Sequence, residues 1–218
     1  MFLERVNFKR PVLSYSKVQI AISKLIRGRK SFIDKKSING KVLLNVGCGP
    51  YPNPGFINLE YSWHPGIDIC WNIVTKPYPL ADNSLEGVYS EHCLEHIPYE
   101  SCFNNLKEFH RMLKPEGTLR IIVPDGETYC SLYLKKLSDP GTMMPYGEQE
   151  ETGMISVNRI FRSHGHQFIY DFTTFKLLLE KAGFTRISKQ EFGKGRDARL
   201  LIDRPKRAVE SLYVEAIK

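Results

Sequence analysis

"VLLNVGCGPYPNPGFINLE", residues 42–60, is the stretch on which the fold turns. A continuous apolar run enters a turn with glycines at 47 and 49, and a second apolar run ends on an acid, Glu60. Unbroken apolarity marks a strand buried on both faces, as in the middle of a parallel sheet. Glycine lets the backbone turn sharply after such a strand and approach a ligand with no Cβ in the way. A carboxylate closing the neighbouring strand stands where it can accept hydrogen bonds from both hydroxyls of a ribose. The stretch therefore reads as the crevice of a nucleotide-like ligand, and the question is which one.

A dinucleotide fits poorly. Its fingerprint is G-x-G-x-x-G with an acid about 20 residues further on. Here "PYPNPG" follows Gly49, and Glu60 stands only 13 positions after Gly47. Prolines at 50, 52 and 54 leave no room for the helix whose N-terminus would hold a pyrophosphate. A ligand with a ribose but no pyrophosphate loses less by that shortening.

Outward from this stretch the chain alternates strands and helices. "GFINLE" (55–60), "GIDICWNI" (66–73), "LEGVYSE" (85–91) and "TLRIIVPD" (118–125) read as strands. Apolar residues at 103, 106, 109, 112 and 113 make a helical stripe that stops at "KPEG". "GETYCSLYLKKL" (126–137) and "DFTTFKLLLEKAGF" (171–184) read as further helices, the latter ended by glycine. "TRISKQEF" and "ESLYVEAIK" close the chain as strands with no helix evident between them, an arrangement that favours antiparallel pairing. Residues 138–165 read as irregular, and so long an unstructured stretch is expected to be a lid or substrate loop. The alternation argues an α/β, Rossmann-like, doubly wound sheet, seven-stranded and mostly parallel.

Charge is unevenly placed. Of the net +7, residues 1–41 hold eleven lysines and arginines against only Glu4 and Asp34, so the remainder is slightly acidic. Residues 1–40 read as a basic N-terminal helical arm. Val18, Ile22, Leu25 and Ile26 stand at helical spacing, and the helix they define is expected to pack on the main domain or cover its cleft. Such an arm suits a phosphate-bearing partner or an anionic membrane surface, or is simply a solvated face. It lacks the interleaved aromatics of a single-strand binding surface, which ranks nucleic acid below a small acceptor. No run approaches the ~20 apolar residues of a membrane span. Five cysteines, none in a C-x-x-C pair, read as reduced thiols, and a cytoplasmic location is the expectation.

The order "LLNVGCGP", "INLE", "YPLADNSLEGVYSEHCLEHIP", "LKEFHRMLKPEGTLRIIVPD" and "KLLLEKAGF" resembles the class I S-adenosylmethionine-dependent methyltransferases, and within them the small methyltransferase-11-like proteins. The resemblance covers residues 41–218. It implies S-adenosyl-L-methionine as cofactor and S-adenosyl-L-homocysteine as product. It places Val46, Gly47, Cys48 and Gly49 under the methionyl part, and Glu60 with Tyr61 at the ribose. Asn72 then meets the adenine amine and Ile73 packs on its ring, while Ser90, Glu91 and His92 face the sulfonium. His92, His166 and Tyr170 are implied at the substrate side, with His164, Asp171 and Asp125 nearby. His92 and His96 are spaced i, i+4, but "HCLEH" is not H-E-x-x-H and no further ligand stands at a telling distance, so no metal centre is expected.

Methyl transfer from an activated sulfonium asks the protein mainly to align nucleophile, methyl and sulfur and to exclude water. Histidines near a cleft favour a hydroxyl acceptor, whose proton must be removed, over an amine. A small-molecule or glycan-type acceptor is expected. RNA or protein methylation and a non-catalytic cofactor-binding scaffold are the alternatives, and oligomeric state is left open.

Overall fold

The computed structural model describes residues 17–28, 32–147 and 152–218. Strand β2 (Leu43–Val46), buried throughout, lies between β3 (Ile57–Glu60) and β5 (Leu85–Glu91), parallel to both. With β1 (Phe32–Ile33), β4 (Ile69–Cys70), β6 (Leu113–Pro124), β7 (Thr185–Gln190) and β8 (Ser211–Ile217) the order is β1-β4-β3-β2-β5-β6-β8-β7. From β4 to β6 every pairing is parallel, whereas β8 runs antiparallel to both β6 and β7. The chain reverses its direction of winding between β2 and β5, which opens a crevice at the carboxyl ends of those strands.

Seven strands were expected, and among the described residues eight are present. The additional one, β1, pairs antiparallel with β4, Phe32 opposite Cys70 and Ile33 opposite Ile69. Asp68 explains the docking. Its backbone carbonyl accepts from Asp34 N at 2.9 Å, and its carboxylate takes Lys41 Nζ at 3.1 Å and the Ser37 hydroxyl. Phe32–Ile33 thus join the edge of the sheet, and residues 34–41 are tied to it through Asp68.

Helix α1 (Lys17–Gly28) forms, but it does not dock by its apolar stripe. Val18 and Leu25 are 66% and 57% exposed. The domain meets the other face, where buried Ser23 accepts a hydrogen bond from Trp63 N at 2.7 Å. Five of the basic residues expected to define the arm (Arg5, Lys9, Arg10, Arg29 and Lys30) lie at 1–16 and 29–31, outside the described residues.

One face of the sheet is covered by α2 (Tyr99–Met112) and α5 (Phe172–Ala182), whose Leu106, Phe109, Phe175 and Leu179 join Leu44, Val46 and Val88 in the main core. Alternation along the strands sends Leu43, Tyr89 and Ile122 to the opposite face, where Leu200 packs on them. Arg120 fixes that covering loop. Fully buried, it pairs with Asp203 (Nε–Oδ1 2.8 Å) and Glu215 (2.9 Å) and donates to Lys194 O (2.9 Å).

Helix α3 (Gly126–Ser138) begins after Asp125, whose carboxylate caps it by accepting from Glu127 N at 3.1 Å. The segment 138–165 is not the structureless stretch expected from sequence. It contains α4 (Gly153–Arg162), which packs on α3 through a cluster of Tyr129, Met144 and Ile160. A polar Ser156 occupies a buried position of this short helix and blurs its apolar period. Residues 148–151 lie outside the described ones. Among the described residues no helix is long and apolar enough to cross a membrane.

Candidate functional site

The turn after β2 is held from three sides. Gly47 N and Cys48 N both donate to Leu59 O, at 2.9 and 3.2 Å. Gly47 has φ +67°, and a Cβ there would lie 2.4 Å from Cys93 Sγ, so both conformation and space demand glycine. Gly49 has φ +57°, yet a Cβ there would meet nothing within 4 Å. The backbone at Gly49 thus borders open space. Glu60 closes the turn. Its Oε2 accepts from Gly49 N at 2.9 Å, and its Oε1 accepts from Tyr61 N and Ser62 N at 2.7 and 3.2 Å. A further partner absent from the sequence reading is buried His64, whose Nε2 is 2.6 Å from Gly49 O.

Val46 and Ser90 are side by side across the β2–β5 ladder, which brings "SEHCLEH" next to the glycine turn. Ser90 is buried, and its hydroxyl has no partner better than the weak Cys93 thiol. Burial pushes the Cys48 and Cys93 thiols up, so both are neutral packing groups.

Glu91 departs from its expected place at the sulfonium. Its carboxylate takes Arg204 N at 3.0 Å and Arg204 Nε at 2.5 Å, directed to the covering loop. At the far side of the crevice Asn72 spends its side-chain oxygen on Val74 N at 3.0 Å, a turn-forming bond, and Asn105 Nδ2 pins the Ile73 carbonyl at 3.0 Å. Tyr61 is half-exposed beside the turn.

His92 leaves β5 with φ +49°. Its ring is enclosed, with Nε2 2.9 Å from Ser211 Oγ. Ser211 gives its own proton to Arg207 O at 2.8 Å, so it must accept from His92 Nε2–H. The other ring nitrogen, Nδ1, then faces Arg207 at 3.4 Å and Glu95 Oε1 at 3.3 Å. A side chain 3% exposed with both ring nitrogens so engaged does not face an open cleft, which corrects the expectation of a substrate-facing base.

Tyr170 is also corrected. Its ring is wholly buried in the main core against Phe175 and Phe168, and its hydroxyl lies beside the Cys102 thiol. The apolar neighbours in "QFIYDFTTF" draw it inward, and burial pushes its hydroxyl pKa far up.

His166 lies against the end of "SEHCLEH". Gln167 N and Phe168 N donate to Glu95 O at 2.7 and 3.3 Å, and Gln167 Nε2 to His96 O at 2.8 Å, which staples residues 166–168 to the end of "SEHCLEH". The His166 ring packs edge-on against His96, centroids 4.8 Å apart. Its Nδ1 is 2.6 Å from Ile160 O, and because a carbonyl only accepts, Nδ1 carries the proton and Nε2 keeps its lone pair. Burial holds His166 and His96 below the ordinary imidazole value despite the nearby Glu95 charge. Glu95 is fully buried. Burial alone would raise its pKa, but His92, then His96 and His166, outweigh it and hold the carboxyl below the usual range.

Residues 62–121 match the family model described as "Methyltransferase domain". A curated relative, phosphoethanolamine N-methyltransferase of Plasmodium falciparum, is 28% identical over 55% of this chain and 49% of its own length. The match thus spans about half of that relative. Among solved structures, an S-adenosylmethionine-dependent methyltransferase from Archaeoglobus fulgidus superposes with TM-score 0.50 at 15% identity, covering 92% of this chain and 94% of that one. The 1,6-didemethyltoxoflavin-N1-methyltransferase of Burkholderia thailandensis, solved with 1,6-didemethyltoxoflavin and S-adenosylhomocysteine, is similar at TM-score 0.48 and 16% identity over 93% of this chain and 77% of that one.

Proposed function

Because the chain has the fold of the class I S-adenosylmethionine-dependent methyltransferases and a methyltransferase-domain segment within it, we propose that it binds S-adenosylmethionine at the Gly47–Gly49 turn and transfers the methyl group to a small-molecule acceptor. The observation that carries this reading is the open space at Gly49 framed by the Glu60 carboxylate. Each Glu60 oxygen bonded to backbone keeps a lone pair for a ribose hydroxyl. The buried Ser90 hydroxyl, short of a strong partner, supplies a polar group on the same rim. Val46, Cys48 and Tyr61 line the turn in this reading, with Asn72 and Ile73 at the adenine end.

The cofactor supplies an activated methyl group. The chain's own part is to hold the acceptor in line with it and to keep water out. His166 stands at the acceptor side, its Nε2 lone pair free of the Ile160 bond. The acceptor atom is a hydroxyl oxygen or an amine nitrogen. A basic imidazole supports the first, and the similarity to the phosphoethanolamine N-methyltransferase of Plasmodium falciparum supports the second. A glycan-type acceptor remains within this class, and RNA or protein is the runner-up.

Thermal unfolding with S-adenosylmethionine, S-adenosylhomocysteine and NAD added separately tests the reading. A ligand that binds only the folded state adds about 2.7 kcal/mol at a hundredfold excess over its Kd. The first two are expected to raise the midpoint and NAD to leave it unchanged. No shift with either sulfur ligand would overturn the proposal.

A further inference from the structure

Glu95 poses a problem that the methyltransferase reading leaves unanswered. It is fully buried, and neither carboxylate oxygen accepts a well-formed hydrogen bond. The groups nearest to it are ring nitrogens, His92 Nδ1 at 3.3 Å and His96 Nε2 at 3.6 Å, both from Oε1. Among the described residues no lysine or arginine pairs with it. A buried carboxylate costs several kcal/mol unless it is closely paired, and imidazoles at 3.3 and 3.6 Å are long contacts, so the site favours a closer cationic partner.

The surroundings fit a metal ion. Glu95, His96 and His166 each offer a ligand atom, and the three atoms lie within 4.8 Å of one another. Zinc-like ions bind imidazole nitrogen and carboxylate oxygen at about 2.0–2.2 Å, which sets ligand atoms roughly 3–3.5 Å apart around the ion. The 3.6 Å between Glu95 Oε1 and His96 Nε2 is already near that value, and the His96 side chain, 36% exposed, has room to turn. A ligating histidine nearly always gives its other N–H to a carbonyl or carboxylate. His166 does so, with Nδ1 on Ile160 O at 2.6 Å.

We infer that Glu95, His96 and His166 form a binding site for a divalent first-row transition-metal ion of the zinc or manganese type, with two histidines and one carboxylate as ligands and open positions on the exposed side of His96. Local spacing hid the site. "HCLEH" supplies only two of the ligands, and the third comes seventy positions after His96, stapled beside Glu95 by the bonds of Gln167 and Phe168. The site lies next to the glycine turn through Cys93, whose Sγ backs Gly47. If the proposed function holds, the open positions are where an acceptor oxygen would be held, and His166 then serves as ligand instead of base. Metal binding itself does not rest on that function.

The test is a Co2+ titration of the EDTA-treated, dialysed full chain, followed by its visible absorption, with Zn2+ competition. One equivalent is expected to bind with a d–d spectrum and to be displaced by Zn2+. His166→Ala and Glu95→Gln should each weaken it more than about tenfold, as loss of metal-site residues commonly does. His166→Ala, whose ring is partly exposed, keeps the test valid if Glu95→Gln fails to fold, and thermal unfolding in EDTA reports which variants are folded. No Co2+ binding by the wild-type chain, or equal binding by folded His166→Ala, would overturn the inference. S-adenosylmethionine-induced stabilisation, measured on the same metal-free protein, separates the two readings. A shift there with no Co2+ site removes the metal alone, and a Co2+ site with no shift removes the cofactor alone.

Discussion

Glu60 at the end of β3 accepts a hydrogen bond from the backbone amide of Gly49 at 2.9 Å, so the acid of one strand fastens the turn of its neighbour. The same carboxylate takes two more amides, from Tyr61 and Ser62. Its position is thereby set before any ligand arrives. Glu60→Ala removes both the clamp and the acceptor. A hydrogen bond to a charged group contributes about 1.5–3 kcal/mol, so Kd for S-adenosylmethionine should rise by roughly 10- to 100-fold. Isothermal titration measures it, and an unchanged Kd would remove Glu60 from the site.

The two glycines of the turn should respond differently to alanine. Gly47→Ala forces a Cβ to 2.4 Å from Cys93 Sγ, and overpacking of this sort costs about 1–3 kcal/mol, besides the left-handed backbone strain. Gly49→Ala (φ +57°) shares the left-handed strain of about 1–2 kcal/mol but meets only open space, so it should lose less stability than Gly47→Ala while weakening cofactor binding. Chemical denaturation and ligand titration of the pair separate fold from site. Equal stability losses would contradict the geometry.

Asp203→Ala leaves Arg120 buried with only Glu215 as its acid, and breaking a buried pair from one side costs about 3–5 kcal/mol. The midpoint of urea unfolding should fall accordingly. Loss of the pair should also loosen the loop carrying Leu200, which hydrogen exchange of residues 193–204 would register. A surface-like effect below about 1 kcal/mol would mean that the pair is hydrated in solution.

Tyr170→Phe tests the corrected reading of that residue. Its hydroxyl is buried beside nothing stronger than a thiol, so removing the oxygen should leave stability unchanged or slightly raised. Methyl-transfer kcat, once an acceptor is known, should stay within about twofold. A large drop in kcat at unchanged stability would restore Tyr170 to the catalytic set.

His110 gives the chain an acid-sensitive contact. Burial, with the Lys218 cation adding to it, holds its pKa below the ordinary 6.5, its ring edge-on to Phe184 at 5.2 Å. Below pH 6.5 the unfolded chain therefore binds more protons at this site than the folded one. Its stabilisation is complete above about pH 7.5 and is lost as pH falls through 6.5 towards the folded value. In thermal unfolding from pH 8 to 5, His110→Gln should decline less steeply than the wild type over that window. Parallel curves would assign the acid sensitivity to other groups.

Much of this was legible from local pattern. Continuous apolarity gave β2, the helical stripe gave α2, and a glycine turn followed by an acid gave the turn at the end of β2, because period, chirality and backbone freedom act over a few residues. "SEHCLEH" was legible as a polar stretch at the end of β5 but not as to the contacts of its side chains. Which of its side chains face the core, the covering loop or the solvent depends on Arg204, Ser211 and His166, each far away in sequence. The same distance misled the reading of Tyr170, which carries a catalytic residue type but sits among Phe168, Phe172 and Phe175 and is drawn into the core with them.

The sequence by itself therefore determined the strand–helix alternation, the glycine turn and the acid that follows it, since these follow from forces between near neighbours. Only the tertiary structure decided that Phe32–Ile33 join the sheet beside Asp68, that Glu91 is tied to Arg204, and that Glu95, His96 and His166 converge. Those contacts close loops of about thirty to more than a hundred residues. No local propensity encodes the balance of burial, desolvation and backbone hydrogen bonding that holds such loops shut.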